Sequence, residues 1–368
     1  MPNAQETVLE INFTHLEYNF NYLKSKLDDN TKILAVVKAF AYGSDAEKVA
    51  LKLQDLQVDY FAVAYVNEGI SLRKAGVTTP ILVLHPQPVN FKTLIENCLE
   101  PSLYNTRTLA AFIALAKEAK QTDYPIHIKF NTGLNRLGFC DDAIPFITEQ
   151  LNTTKAVKVT SLFSHLAASE DSQEKAFTTR QISSFNKIVK AFRSQNNDAP
   201  FLHLVNTSGV LNYPEAHFDM VRTGIGLYGY GNDPKFNNHL KPVVSLKSVI
   251  SQIHQIEKNE TVGYNRAFKA VQTMKTATIP IGHADGISRQ WGNGNGALRV
   301  HGKKAPVIGN VCMDMIMIDI TNIPCEEGDE VVLFDMENTA ADFAKQGGTI
   351  SYEILTAISQ RISRRYID

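Results

Sequence analysis

Cysteine is scarce in this chain: Cys98, Cys140, Cys312 and Cys325 are the only four among 368 residues. They lack metal-ligand spacing, so no metal centre is expected, and they read as reduced thiols rather than a disulfide framework. Charge imbalance is also missing. The sequence holds 37 Lys and Arg against 38 Asp and Glu, a net charge of -1. That balance gives no electrostatic case for nucleic acid or an anionic membrane as partner. No run approaches the roughly 18 consecutive apolar residues that a membrane-spanning helix needs. The N-terminus MPNAQETVLEIN has neither a basic nor an apolar leader region, so the expected location is the cytoplasm. Internal repeats and low-complexity segments are absent. The run GNGNG at 292–296 lacks the G-x-G-x-x-G spacing and reads as a turn, not a phosphate loop.

What is present is a regular alternation. Short apolar runs occur at 33–37, 60–65, 81–84, 101–104, 126–130, 159–165, 201–206 and 218–224. Amphipathic segments separate most of them, such as 46–57, 67–76 and 107–120, with Gly76 as a helix stop. Eight strands alternating with helices predict a (β/α)8 TIM-type barrel over 10–235, in preference to an open doubly wound sheet. After residue 240 the pattern becomes strand-like at 243–256, 273–282, 297–309, 312–320 and 330–334. These predict a mostly β domain over 236–368, joined by an N-terminal strand within 1–9. The end of the chain, SYEILTAISQRISRR, reads as a helix.

Lys38 stands where the first apolar run, ILAVV, gives way to the small-residue turn AFAYG. A lysine there is costly to bury as a cation. It becomes useful if its amine is neutral and forms a Schiff base with an aldehyde cofactor. A snorkelling structural lysine is the competing reading. In a barrel the chemistry sits at the C-terminal ends of strands. Arg136 follows the fifth run, His165 ends the sixth, Asn206 and Thr207 follow the seventh, and Arg222 ends the eighth. Each alone has a bland alternative: a surface ion pair for Arg136, a core histidine for His165, a helix cap for Asn206. Together they would converge on one mouth. Thr207, Ser208 and Gly209, then Gly224 and Gly226, add hydroxyl and backbone N–H donors after strands seven and eight, where this fold commonly holds phosphate.

The chain resembles the alanine racemases nearly end to end. VVKAFAYG is similar to the family's lysine motif and KFNTGLNRLGF to its arginine loop. RTGIGLYG, IPIGHADG, VIGNVCMDMIMIDI and YEILTAISQRISRRY resemble further family segments in family order. The resemblance implies a fold type III enzyme dependent on pyridoxal 5′-phosphate that interconverts L- and D-alanine and supplies D-alanine for peptidoglycan. It implies that Lys38 holds the cofactor and acts as one acid/base, with Tyr264 as the second on the opposite face. Arg222 would face the pyridine nitrogen, and His165 would link Arg222 to Tyr264. Arg136 would contact the cofactor's phenolic oxygen and the substrate carboxylate. Tyr42, Thr207, Gly224, Ile225 and Tyr352 would bind phosphate, with Asn206 beside them among the cofactor-binding residues. Met313 would help bind the substrate carboxylate through its backbone. Tyr264 and Met313 would come from the partner subunit of a homodimer. Lys129 matches a lysine that relatives can carry as a carbamate. Phe40, Ser44-Asp45, Asn131, Thr207, Thr223 and His283 depart from the usual residues without removing a catalytic group.

The chemistry needs these groups. Racemisation takes the α-proton from one face and returns one on the other, so two bases on opposite faces suit it. Free lysine (about 10.4) and tyrosine (about 10) are too basic and need nearby positive charge or desolvation. Arginine has five donors and no acceptor, so it leaves the ring nitrogen unprotonated and limits transamination. The rivals are a broader-specificity racemase of the same fold, a basic-amino-acid decarboxylase and a non-catalytic cofactor carrier. A decarboxylase would be expected to place a carboxylate at the ring nitrogen, against Arg222. A carrier has no use for a β domain bearing Tyr264 and Met313.

Overall fold

The computed structural model describes residues 6–196 and 199–367. The strands, in chain order, are β1 (Val8–Asn12), β2 (Lys32–Val36), β3 (Tyr60–Val63), β4 (Ile81–Val83), β5 (Glu100–Leu103), β6 (Tyr124–Lys129), β7 (Val157–Phe163), β8 (Phe201–His203) and β9 (Met220–Thr223). Then follow β10 (Val244–Val249), β11 (Gln252–Ile256), β12 (Thr261–Val262), β13 (Phe268–Lys269), β14 (Met274–Ile279), β15 (Ala297–Val300), β16 (Lys303–Ile308), β17 (Ile316–Asp319), β18 (Glu330–Phe334) and β19 (Ser363–Ile367).

Strands β2 to β9 form one parallel eight-stranded sheet in the order β8-β7-β6-β5-β4-β3-β2-β9. The sheet closes on itself where Asp219 N–H donates to Leu202 O at 3.1 Å and Arg222 N–H to Val205 O at 3.1 Å. These strands are buried on both faces, which is why they read as continuous apolar runs. Each apolar run predicted as a barrel strand overlaps one of them. The boundaries move at the rim. β7 ends at Phe163, so His165 lies two residues beyond it, whereas Arg222 sits inside β9. The intervening helices include Ala46–Asp55, Val66–Lys74 and Thr106–Glu118, close to the predicted segments. Gly76 takes φ +98° just after the second of these, the left-handed position that favours glycine at a helix end.

The remaining long strands make a second sheet in the order β11-β14-β17-β16-β15-β18-β10-β1-β19. Here burial alternates along the strands, as in β10 and β17, because one face is exposed. Two predicted runs each divide into two strands, and only the second is a hairpin. Residues 243–256 split into β10 and β11. Residues 297–309 split into β15 and β16 around His301 (φ +49°) and Gly302 (φ +73°), a two-residue turn with both central residues left-handed. The N-terminal strand expected within 1–9 is β1, running on to Asn12; residues 1–5 of that expectation lie outside the described residues.

The C-terminus corrects the sequence reading. The helix covers only Ser351–Ala357, and the chain then extends into β19, parallel to β1. Arg364 makes the break favourable. Its guanidinium donates to the carbonyls of Ile358, Ser359 and Ile362, and across to Gly43 and Ser44 of the barrel mouth. The helix Ala340–Gln346 also went unpredicted. No helix among the described residues is long and apolar enough to cross a membrane.

Candidate active site

Five consecutive residues after β2 are left-handed: Ala39, Phe40, Ala41, Tyr42 and Gly43, with φ from 50° to 79°. Outside glycine this costs about 1–2 kcal/mol per residue, so the surroundings must impose it. Three features do. The Glu68 carboxylate accepts from the N–H groups of Ala39 (2.6 Å), Ala64 (2.7 Å) and Tyr65 (3.0 Å), joining the turn to the start of the helix Val66–Lys74. Arg364 donates to Gly43 O at 2.9 Å. A Cβ on Gly43 would stand 1.8 Å from Leu355 O, so the C-terminal helix presses directly on the turn. The result places both Lys38 and Tyr42 on the wall of one cavity of about 600 Å³ at the barrel mouth.

That cavity gathers most of the predicted site. Lys38, Tyr42, Lys129, Arg136, His165, Asn206, Thr207, Arg222, Gly224, Ile225 and Tyr352 all line it. The ring of Tyr352 comes from the C-terminal helix and lies 5.9 Å from that of Tyr42. No Asp or Glu lines the cavity among the described residues, while Lys38, Lys129, Arg136 and Arg222 do. This cationic set depresses its own amines. Burial and Arg136 lower the Lys38 amine, and Glu68 partly offsets them. Burial, then Arg222, Arg136 and Lys38, bring Lys129 down to about 8. Both amines are thereby moved toward the neutral state that nucleophilic and base chemistry needs.

Arg222 is held on the side away from the cavity. Its Nη1 meets His203 Nδ1 at 2.9 Å, and its Nη2 donates to Ser164 O (2.7 Å), Leu204 O (2.8 Å) and His165 Nδ1 (3.0 Å). Its Nε–H has no hydrogen-bond partner among the described residues. Burial pulls Arg222 down to about 9, which still leaves it cationic at neutral pH. Burial and then Arg222 push His165 well below the usual histidine range. His165 is therefore neutral, its Nδ1 accepts, and its proton is on Nε2.

Elsewhere on the lining, Thr207 Oγ accepts from the N–H groups of Gly224 and Gly226, each at 3.2 Å. A Cβ on Gly224 would stand 2.4 Å from Tyr42 Oη, so only glycine leaves this cradle open. Asn206 caps the short helix Thr207–Asn212 through Gly209 N and also accepts from Ser169 Oγ, so its cap reading holds. A cofactor bearing an anionic phosphate fits this lining of cations, a hydroxyl and two phenols.

Tyr264 and Met313 are not brought to Lys38 within the chain. They line a second cavity of about 430 Å³ on the β domain with Gly263, Cys312, Met315 and Met317. Tyr264 is 74% exposed and Met313 59%. His283 donates its backbone N–H to Cys312 O at the edge of the same face. Sequence reasoning missed Glu68, whose role depends on folding together strand β3 and the turn after β2, and the interior polar residues Glu100, His127, Ser161 and His203. Glu100 fell one residue outside its predicted run.

The description "Alanine racemase, N-terminal domain" matches residues 11–232, and "Alanine racemase, C-terminal domain" matches 243–366. The chain is similar to an alanine racemase of Halothermothrix orenii, 36% identical over 99% of this chain and 97% of that protein. One of Treponema denticola is 35% identical over 97% of each. Among solved structures, alanine racemase of Clostridium difficile 630 superposes with a TM-score of 0.92 at 33% identity, covering 99% of this chain and 96% of the other. Alanine racemase of Bartonella henselae with covalently bound pyridoxal phosphate gives 0.90 at 26% identity, covering 99% and 100%.

Proposed function

The chain belongs to the alanine racemase family, and from that premise we propose that it interconverts L- and D-alanine with pyridoxal 5′-phosphate joined to Lys38. The observation that carries the reading is the mouth of the barrel itself: a lysine on an imposed left-handed turn, in a cavity whose charged lining is entirely cationic. Bound there, the cofactor withdraws electrons from the substrate's α-carbon and so acidifies its proton.

The chain's own residues do the rest. Lys38, its amine lowered by burial and Arg136, takes or returns the α-proton on one face. Tyr264, from a second copy of the chain, does so on the other. His165 keeps its Nε2–H toward the mouth and links Arg222 to that phenol. Arg222 would offer its Nε–H to the ring nitrogen of the bound cofactor and, having no acceptor, would leave that nitrogen unprotonated. Arg136, the most exposed cation of the lining, and the Met313 backbone of the second copy hold the substrate carboxylate. Tyr42, Asn206, Thr207, Gly224, Ile225 and Tyr352 hold the phosphate end. Lys129, its amine brought down to about 8, is the lysine that can take a carbamate. The active unit is a homodimer with two shared sites, because Tyr264 and Met313 are exposed on a cavity of their own. The product supplies peptidoglycan synthesis in the cytoplasm.

Solvent-deuterium wash-in from each enantiomer tests the reading. The wild-type protein loaded with pyridoxal phosphate should exchange the α-proton of both L- and D-alanine. Tyr264→Phe should lose exchange from L-alanine far more than from D-alanine, by roughly 10²–10⁴-fold for one acid/base step. A carrier would bind the cofactor and exchange neither enantiomer. Equal loss for both would remove the two-base assignment.

A further inference from the structure

A file of buried polar side chains runs through the barrel from Arg222, away from the cavity. Arg222 Nη1 lies 2.9 Å from His203 Nδ1. His203 Nε2 lies 2.8 Å from Ser161 Oγ. Ser161 Oγ lies 2.6 Å from His127 Nδ1, and His127 Nε2 lies 2.7 Å from Glu100 Oε2. Five strands, β9, β8, β7, β6 and β5, supply one residue each. His127, Ser161 and His203 are wholly buried, and Arg222 and Glu100 nearly so. Tyr60 on β3 hydrogen-bonds to Glu100 as well.

The sense of the file is fixed by its two ends. A guanidinium only donates, and an ionised carboxylate only accepts. Arg222 therefore donates to His203 Nδ1, which leaves the His203 proton on Nε2. That proton goes to Ser161 Oγ, whose own hydroxyl donates to His127 Nδ1. The His127 proton is then on Nε2 and goes to Glu100. Every bond points the same way, with one proton per link and no donor facing a donor.

A buried polar file costs free energy that an aliphatic layer would not, so packing alone does not explain it. Its other notable feature is what Arg222 lacks. The guanidinium is buried with no carboxylate in contact among the described residues, and its direct partners are two imidazole nitrogens and two carbonyls. Lys129 and Arg222 both stand over the ring of Phe163, which stacks on His203.

We propose that Glu100 is the remote counter-charge of Arg222, delivered through His127, Ser161 and His203 as positioning residues that keep the guanidinium cationic and its Nε–H directed into the cavity. Acceptors pulling on the far side of a guanidinium make it a poorer acid. It then lends a hydrogen bond to an acceptor in the cavity without surrendering the proton. This rests on the reading of Arg222 as the group facing the ring nitrogen. The tautomers of the file do not.

The test is histidine and arginine ¹⁵N NMR on the purified full-length protein, with and without pyridoxal phosphate. In the wild type, the hydrogen-bond directions of the file put a proton on Nε2 of both His127 and His203 and none on Nδ1. A proton on Nδ1 of either ring overturns the proposal whatever the variants do. Glu100→Gln removes the charge and keeps the shape; Ser161→Ala cuts the file at its middle and leaves Glu100 intact. Both should shift the Arg222 guanidinium resonances, identified by their loss in Arg222→Lys, in the same direction. Both should lower kcat roughly tenfold, the smaller end of what losing an outer hydrogen-bond partner costs a reactive centre. KM for alanine should change less than about twofold. Unmoved Arg222 resonances in both variants overturn the proposal, because each substitution then perturbs only its own neighbours. A protein with the stated tautomers and Arg222 shifts but no racemisation would fail the functional reading instead.

Discussion

Nη2 of Arg222 lies 3.0 Å from Nδ1 of His165, and because a guanidinium only donates, the contact suits a ring whose proton is on Nε2. A buried cation beside an imidazole also opposes its protonation. His165 and His203 share this relation to Arg222, and burial followed by Arg222 lowers both far below the ordinary range.

Acid should therefore destabilise the protein through these two rings. Above the unfolded histidine value of about 6.5 both states hold them neutral and they add no pH dependence. Below it the unfolded chain binds two protons that the folded chain refuses, so stability falls as pH falls. Each ring contributes up to ~1.4 kcal/mol per pH unit in that window. Denaturant titrations from pH 7 to pH 5 should show His203→Gln with a shallower slope than the wild type. An unchanged slope would mean that His203 is protonated in the folded protein.

Mixing two inactive proteins should restore activity if the site is shared between copies. Lys38→Ala lacks the barrel base and Tyr264→Phe lacks the phenol of the exposed β-domain face. A hybrid dimer has one site with both groups. Subunit exchange followed by an alanine racemisation assay should recover up to about half of the wild-type rate per hybrid dimer, since one of two sites is whole. No recovery with exchange confirmed would place both groups in one chain's site.

Lys129 should react with carbon dioxide near neutral pH. Carbamate formation needs the neutral amine, and at pH 7 a lysine brought down to about 8 is neutral in about one molecule in ten, against fewer than one in a thousand for an ordinary lysine. ¹³C-bicarbonate should give one carbamate signal in the wild type and none in Lys129→Arg. Lowering the pH toward 6 should weaken the signal as the amine protonates.

Gly43→Ala should damage both stability and cofactor retention. Its φ of +79° disfavours a side chain, and the added carbon would meet the backbone carbonyl of Leu355. We expect a loss of roughly 2–4 kcal/mol, typical of strain at a special backbone position. The neighbouring Tyr42 should be displaced with it, so pyridoxal phosphate should dialyse out faster than from the wild type. Equal retention would show that the turn tolerates movement of the C-terminal helix.

The barrel was legible because a parallel strand buried on both faces leaves an apolar run that needs no knowledge of its neighbours. Lys38, Arg136, His165, Asn206 and Arg222 were legible for a related reason: barrel geometry places whatever lies near a strand's C-terminal end at one mouth. The turn between β15 and β16 and the extension of the chain past Ala357 were harder. A histidine and a glycine give a weak turn signal, and YEILTAISQRISRR has helical periodicity throughout. Only the partnership of Arg364 with Gly43 and Ser44, 321 and 320 positions away in sequence, and the free edge of β1 make the last residues a strand.

The sequence by itself determined the order of elements, the separation into barrel and β domain, and the residue types at the mouth, since these follow from local periodicity and strand ends. The tertiary structure decided what those residues are made to do. It imposed the left-handed turn through Glu68 and Leu355, crowded four cations into one cavity, and joined Glu100 to Arg222 through residues from five strands. None of these is a local preference, and the turn opposes one. They exist because closing the barrel brings distant side chains within hydrogen-bonding reach in a medium that screens their charges poorly.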